Sequence, residues 1–200
     1  MREIKLRPTS DRLRETLFDV LGGRVAGSLF IDAYAGTGAV GIEALSRGAR
    51  HAFFLERYPA ATELIRKNLN NLGIEIAAGH KRARNQDGQQ DTRQDARQGT
   101  RQQEHETGVA EILEMDAIRG LKHLASLGEH ADLIFSDPPY AEEHRLHTAF
   151  EFIGEAALLA PAGVAIGEHS SRVSLPESFG RLRRFRVLEQ GDSALSFFSF

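Results

Sequence analysis

A chain of 200 residues, 41% hydrophobic and 26% charged, is long enough to bury a core and is expected to form one domain over residues 1–200. It contains no cysteine, which excludes disulfides, thiolate catalysis and cysteine-ligated metals. A formal net charge of −3 does not favour indiscriminate binding to nucleic acid, so a nucleic-acid partner requires positive charge concentrated locally.

The first residues, Met1-Arg2-Glu3-Ile4-Lys5, carry no apolar signal-peptide segment, and no run of about eighteen apolar residues occurs anywhere. A cytoplasmic protein with no membrane partner is expected. In Arg7-Pro8-Thr9-Ser10-Asp11-Arg12-Leu13-Arg14, Thr9 or Ser10 can cap a helix whose first turn holds Asp11. Leu13, Leu17, Val20 and Leu21 fall on one face, and Gly22-Gly23 ends the helix. Arg7, Arg12 and Arg14 gather at its N-terminus, either as phosphate contacts or as solvated partners of acids.

Leu29 to Ile31 read as a buried strand that runs through Asp32 into Ala33-Tyr34-Ala35-Gly36-Thr37-Gly38, after which Ala39 to Leu45 begin a helix. Such a strand, loop and helix unit presents free backbone N–H groups to a ligand. A dinucleotide loop must accept a pyrophosphate, which a carboxylate at the strand end would repel. Asp32 beside Gly36 and Gly38 instead suits a cationic or neutral cofactor. S-adenosylmethionine is the common candidate, and a plain structural turn the alternative. His51 to Arg57 form a second strand, with Glu56 twenty residues after Gly36, placed to accept from ribose hydroxyls or to pair with Arg57.

Pro59 to Leu72 are expected as a helix ending at Gly73. Residues 80–108 hold no large apolar side chain and a loose Gln-Asp-x-Arg recurrence, the pattern of a disordered polar insertion. Val109 to Asp116 form a third strand, with Asp116 able to accept from an adenine amino group, to cap the next helix, or both. Ile118 to Leu127 continue as that helix.

Ala131 to Ser136 form a buried strand that stops in Asp137-Pro138-Pro139-Tyr140. Two prolines end the ladder and stiffen the backbone just past the carboxyl end of the strand, where open parallel sheets bind ligands. An exocyclic amino nitrogen of a base delocalises its lone pair into the ring. It becomes nucleophilic once acceptors hold its N–H groups and turn the lone pair outward. Asp137 and the Pro138 carbonyl can be those acceptors, and Tyr140 can stack on a base turned out of its helix or loop. A sulfonium donor is already activated, so positioning and electrostatics can supply most of the catalysis.

His144 to Leu159 are expected as a helix, Gly163 to Glu168 as a strand, and Leu182 to Leu188 with Ala194 to Phe200 as a hairpin around Gln190-Gly191-Asp192. His144 and His147 share a helix face near Glu143 but lack further ligands, so they are read as solvated and no metal is expected. Phe197, Phe198 and Phe200 are read as hairpin packing.

The segments Arg7 to Phe18, Asp32 to Gly48 and Asp137 to Tyr140, in this order, resemble the bacterial RsmD family of 16S ribosomal RNA guanine-N2 methyltransferases. The resemblance implies a class I S-adenosylmethionine-dependent methyltransferase fold. That is a Rossmann-like α/β architecture with a seven-stranded, mostly parallel sheet and a C-terminal antiparallel hairpin. It implies that Asp32, Ala35, Gly36, Gly38, Glu56 and Asp116 line the cofactor site. Asp137, Pro138 and Tyr140 would handle the guanine, and Arg7, Thr9 and Arg12 would face the RNA or close over the cofactor. The implied partner is ribosomal RNA within the small ribosomal subunit, and the implied state is a monomer. Members carry a basic, glycine-containing hairpin before the Arg-Pro-Thr motif, where only Met1 to Leu6 stand here. This departure and the insertion are expected to bear on RNA affinity more than on methyl transfer. Two other readings remain at this point: an adenine-N6 DNA methyltransferase, for whose target-recognition domain 200 residues leave no room, and a non-catalytic RNA-binding or assembly factor.

Overall fold

A computed structural model describes residues 11–77, 108–142 and 144–200. The expected polar insertion therefore lies outside the described residues except for Gly108, as do Arg7, Thr9 and Glu143.

Amphipathic spacing in Asp11–Leu21 (α1) buries Leu13, Leu17, Phe18 and Leu21 and leaves the acids and arginines outward. The chain then alternates between apolar strand runs and helices: Leu29–Ala33 (β1), Ala39–Ser46 (α2), His51–Glu56 (β2), Pro59–Asn71 (α3), Val109–Glu114 (β3), Ala117–Leu127 (α4), Ala131–Ser136 (β4) and His144–Glu155 (α5). Leu159–Ser170 (β5), Ser178–Phe179 (β6), Leu182–Gln190 (β7) and Ser193–Ser199 (β8) complete one eight-stranded sheet, ordered β3-β2-β1-β4-β5-β8-β7-β6. The first five strands in that order are parallel, β8 adds antiparallel to β5, and β7 adds antiparallel to β8 and so runs with the core strands. Continuous apolar runs such as Phe53-Phe54-Leu55 are what a strand covered on both faces requires. One face packs α1, α2 and α3 around Phe18, Phe30, Phe54 and Phe197. The opposite face packs α4 and α5 around Phe53, Phe150 and Phe198.

The mostly parallel sheet and its closing hairpin are as expected, with two corrections. The sheet has an eighth member, the two-residue β6, which pairs only with Leu182 and Arg183. The helix expected to reach Leu159 stops at Glu155, because Leu158 and Leu159 turn into the core and the Leu158 carbonyl accepts from Ala131 N, starting β5 beside β4. Phe197 and Phe198 are fully buried, but Phe200 is 39% exposed under the Arg181 guanidinium, so it does not share their packing role. His147 sets its ring edge-on to Phe179 at 5.4 Å rather than standing free in solvent. Among the described residues no cluster of three His, Cys, Asp or Glu could hold a metal, and no helix is long and apolar enough to cross a membrane.

Candidate active site

The parallel order places the ends of β1, β2, β3 and β4 side by side at one edge, with the loops that follow them forming a common rim. β1 is central, and its loop is the tightest. Gly36 and Gly38 adopt φ of 54° and 79°, a region that residues with a Cβ enter at a cost, and Gly38 N–H donates to the Ala35 carbonyl at 2.7 Å. α2 starts at once, and its Gly41 lies so close to β2 that an added Cβ would stand 2.4 Å from the Phe54 ring. Tyr34, at φ 81°, is the one residue other than glycine with positive φ among the described residues. Tyr34 and Ala35 both donate backbone N–H to the Leu55 carbonyl, at 3.1 and 3.0 Å, and this pair of bonds fixes the turn.

Two acids brace this loop. The Asp32 carboxylate, 2% exposed, accepts from Gly41 N–H at 2.9 Å. Burial pushes its pKa up to about 7, with the Gly41 hydrogen bond opposing and the charge of Glu56 adding to the rise. Glu56, at the end of β2, accepts from Gly36 N–H at 2.9 Å through one oxygen and from Tyr58 N–H at 2.8 Å through the other. Each carboxylate oxygen keeps a further lone pair for a ligand hydroxyl. Asn68 of α3 donates to the Thr37 carbonyl at 3.0 Å, holding the far side of the loop.

β3 ends at Glu114, two residues before the acid expected at its end, and Asp116 caps α4 by accepting from Ile118 N–H at 3.1 Å. Its other oxygen pairs with Arg145 of α5. Partial burial works against ionisation of Asp116, but the Arg145 hydrogen bond and charge, with the N–H groups of Arg119 and Ile118, overcome it and hold the carboxyl below its ordinary range. Arg145 also pairs with Glu142 at 2.8 Å, and Glu142 with Arg57 at 3.0 Å, while Arg57 donates to the Tyr58 hydroxyl at 2.6 Å. This chain of alternating charge ties the loops after β2, β3 and β4 together. The Tyr34 hydroxyl is buried beside this charged chain, close to Arg145, Asp116 and Glu142. Its pKa is pushed up to about 12 mainly by burial, with Arg145 opposing and Asp116 and Glu142 adding, so the phenol stays neutral.

At the end of β4, Ser136 pairs in register with Ala33, and Asp137 N–H points to the Ala33 carbonyl at 3.4 Å. The Asp137-Pro138-Pro139 turn thus starts directly beside the glycine loop, with Pro138 buried and Pro139 exposed. A single 3-10 turn, Tyr140–Glu142, leads into α5, and the Tyr140 side chain lies outside the described parts.

The sequence profile of the family described as Conserved hypothetical protein 95 matches residues 1–101 and 91–199. "Putative rRNA methyltransferase YlbH" of Bacillus subtilis (strain 168) is 31% identical over 176 residues, 88% of this chain and 78% of that protein. The chain belongs to this family, the RsmD family. "Ribosomal RNA small subunit methyltransferase D" of Escherichia coli (strain K12) is 46% identical over 67 residues, 34% of each chain. Among solved structures, an RNA methyltransferase from Salinibacter ruber in complex with S-adenosyl-L-homocysteine superposes with a TM-score of 0.58, covering 96% of this chain and 92% of that one. At 13% identity it speaks to the fold alone, a class I, Rossmann-like methyltransferase architecture.

In this RsmD-family chain Asp32, Ala35, Gly36, Gly38, Glu56, Asp116, Asp137 and Pro138 all come to the same edge of the sheet. Thr16 at the middle of α1 meets Gln190, the carboxyl end of β7, and Arg24 beyond its end meets Ala162 early in β5. α1 therefore runs antiparallel to the parallel strands, and Arg12 in its first turn stands at the same edge as the loops. Arg14 pairs with Asp11 at 3.1 Å, as a solvated partner of an acid. Sequence reasoning offered Arg57 only as a partner of Glu56, whereas it pairs with Glu142, and it missed Tyr34, Glu142 and Arg145. No local signal marks the Arg57–Glu142 and Asp116–Arg145 pairs, because they join positions 85 and 29 residues apart that only the strand order brings together.

Proposed function

We propose that this protein transfers a methyl group from S-adenosylmethionine to the exocyclic N2 of a guanine in small-subunit ribosomal RNA, acting as a monomer in the cytoplasm. The carrying observation is the adjacency of two rigid turns: Asp137 begins one, and its N–H faces the carbonyl of Ala33, which begins the other. A methyl donor over the glycine loop and a base against the prolines would then share one cleft edge. Membership of the RsmD family and the ribosomal RNA named in its relatives support the substrate.

The donor set fits this cofactor. Asp32, Glu56 and Asp116 offer carboxylates around a glycine turn, an arrangement unfavourable to a pyrophosphate and favourable to a cationic nucleoside. Gly36 and Gly38, with Ala35, would admit the cofactor's close approach; Glu56 would take ribose hydroxyls, and Asp116 the adenine amino group. When bound, S-adenosylmethionine supplies an electrophilic methyl group on a sulfonium. The chain's own residues do the rest. Asp137 and the Pro138 carbonyl accept the two N–H groups of the guanine amine and turn its lone pair out of the ring plane. Asp137 would take the proton that the amine nitrogen sheds on accepting the methyl group, the C–S bond of the sulfonium breaking to leave a neutral thioether. Tyr140 stacks on the extruded base, and Arg7, Thr9 and Arg12 hold RNA or close over the cleft.

The test is transfer of tritiated methyl to unmodified small ribosomal subunits, free small-subunit rRNA and duplex DNA, followed by nucleoside analysis. Label in N2-methylguanosine is the expected result. Label in DNA adenine, or none while cofactor still binds, overturns it.

A further inference from the structure

A chain with 25 basic and 28 acidic residues that works on a polyanion has to concentrate its positive charge. Among the described residues the densest basic run is Arg181-Leu182-Arg183-Arg184-Phe185-Arg186, at the opposite end of the sheet order from β3. It lies toward the amino end of β7. β7 runs parallel to the core strands, so this run sits away from the glycine loops.

The surroundings of the run give it a chemistry. The ladder to β8 shifts between Arg184 and Arg186, and the bulged Phe185 is 56% exposed with its ring 6.1 Å from Phe197. A second exposed aromatic, Phe200, lies 4.5 Å beneath the Arg181 guanidinium. Glu177, Ser178, Arg183, Arg184, Phe185, Arg186 and Val187 line an open groove of about 540 Å³, in which Glu177 is the one acid. Arg183 and Arg184 each donate to backbone carbonyls, of Gly180, Leu182 and Leu175, which fixes their guanidinium groups while leaving further N–H donors. β6 covers β7 at Leu182 and Arg183, and Arg184 N–H donates to the Glu177 carbonyl at 2.8 Å, so the outer edge of β7 is without a strand partner among the described residues only beyond Arg184.

We propose that this arginine and phenylalanine face of β7 is a second RNA-binding surface, gripping the backbone of the substrate RNA by its arginines and stacking an unpaired base on Phe185. The proposal rests on the reading that the substrate is RNA, and adds a contact remote from the methylated nucleotide. Charged residues on an edge strand also deter edge-to-edge pairing. That role does not account for an exposed aromatic at the bulge, which is a liability for an edge and a platform for a base.

The two roles separate under charge reversal, because glutamate protects an edge as well as arginine does but repels phosphate. The probe is a fluorescently labelled, unmodified transcript of small-subunit rRNA, titrated with the full chain from 50 to 300 mM KCl. Arg186→Glu is expected to weaken binding about tenfold or more at low salt and to flatten the slope of log affinity against log salt by about 0.7 to 0.9 for each phosphate no longer neutralised. Phe185→Ala is expected to weaken binding about fivefold or more with an unchanged slope. Lys122→Glu, an equal change in net charge on α4, is the control and should leave both readouts in place. S-adenosylmethionine affinity reports folding, and Arg186→Gln serves if the reversed charge perturbs it. Affinity and slope equal to the parent's in the Arg186 and Phe185 variants, with the parent methylating rRNA, overturn this surface alone. A parent that neither binds nor methylates RNA overturns the proposed substrate with it.

Discussion

Asp32 closes the end of β1 with its carboxyl almost sealed from water, and its raised pKa makes it a proton-linked group. Between about pH 4 and 7 the folded chain holds a proton on Asp32 that the unfolded chain has released, so the group's contribution to stability is greatest at low pH and declines as pH rises through about 7. A cationic cofactor favours the ionised form, so binding S-adenosylmethionine is expected to expel that proton. Affinity should therefore rise with pH, by up to about tenfold per unit below pH 7, and level off above it. Calorimetric titration at pH 6, 7 and 8 in buffers of different ionisation heat measures this directly, with nearly one proton released at pH 6. Asp32→Asn keeps an acceptor for Gly41 N–H and should flatten the profile. A flat profile in the parent would detach Asp32 from the cofactor. Asp137 carries the complementary expectation: Asp137→Ala should lower kcat by at least about a hundredfold while leaving cofactor affinity within about twofold. Equal loss of both would make Asp137 a structural or cofactor-binding residue.

At the scale of elements, the helix starts at the rim are held by unlike devices. α2 begins on Gly38 with no side-chain cap, and its contact with β2 depends on Gly41 having no Cβ. Gly41→Ala has to push α2 off the Phe54 ring and is expected to cost roughly 1–3 kcal/mol, lowering Tm by several degrees in thermal unfolding. α4 instead begins on Asp116, whose oxygens divide between Ile118 N–H and Arg145. Asp116→Ala loses both and Asp116→Asn keeps the cap. The difference in Tm between them should correspond to about 1 kcal/mol, while the partly exposed ion pair adds less. How much of this was legible follows from where the information sits. The glycine loop, the strand-end acids and the double-proline turn announce themselves locally, by residue types that allow or forbid particular backbones. Asp116 as a cap was legible for the same reason. Its pairing with Arg145 was not, nor was the Glu142–Arg57 pair, because both depend on β3, β2, β1 and β4 lying in that order. The positive φ of Tyr34 contradicts the preference of its residue type, and the two-residue β6 is too short to leave a period in the sequence.

For the whole molecule, the question is whether the polar segment expected at 80–108 belongs to the methyltransferase framework. The described chain on either side of it is already joined. Ala77 N–H donates to the Ala110 carbonyl at 2.8 Å, Ala110 N–H donates to the Glu75 carbonyl at 2.9 Å, and Ile76 bridges Ala110 in parallel. Because this pairing is parallel, the connection has to run back alongside it to reach Gly108, which needs about a dozen residues rather than thirty. Shortening it from about thirty to about twelve lowers the entropy lost on closing the loop by roughly 0.8 kcal/mol. Replacing residues 80–106 by a short Gly-Ser linker is therefore expected to leave Tm unchanged or a few degrees higher, with S-adenosylmethionine affinity and methyl transfer to rRNA retained. Thermal unfolding, cofactor titration and the tritium assay on the same preparation check the three. A fall in Tm would mean that the segment contributes to the core packing around β3. A normal Tm with transfer lost but the cofactor still bound would mean that the segment grips RNA. The Arg186→Glu change placed in the shortened chain would then show whether the segment and the β7 face act on the same stretch of RNA, since independent contacts add in free energy and shared ones do not.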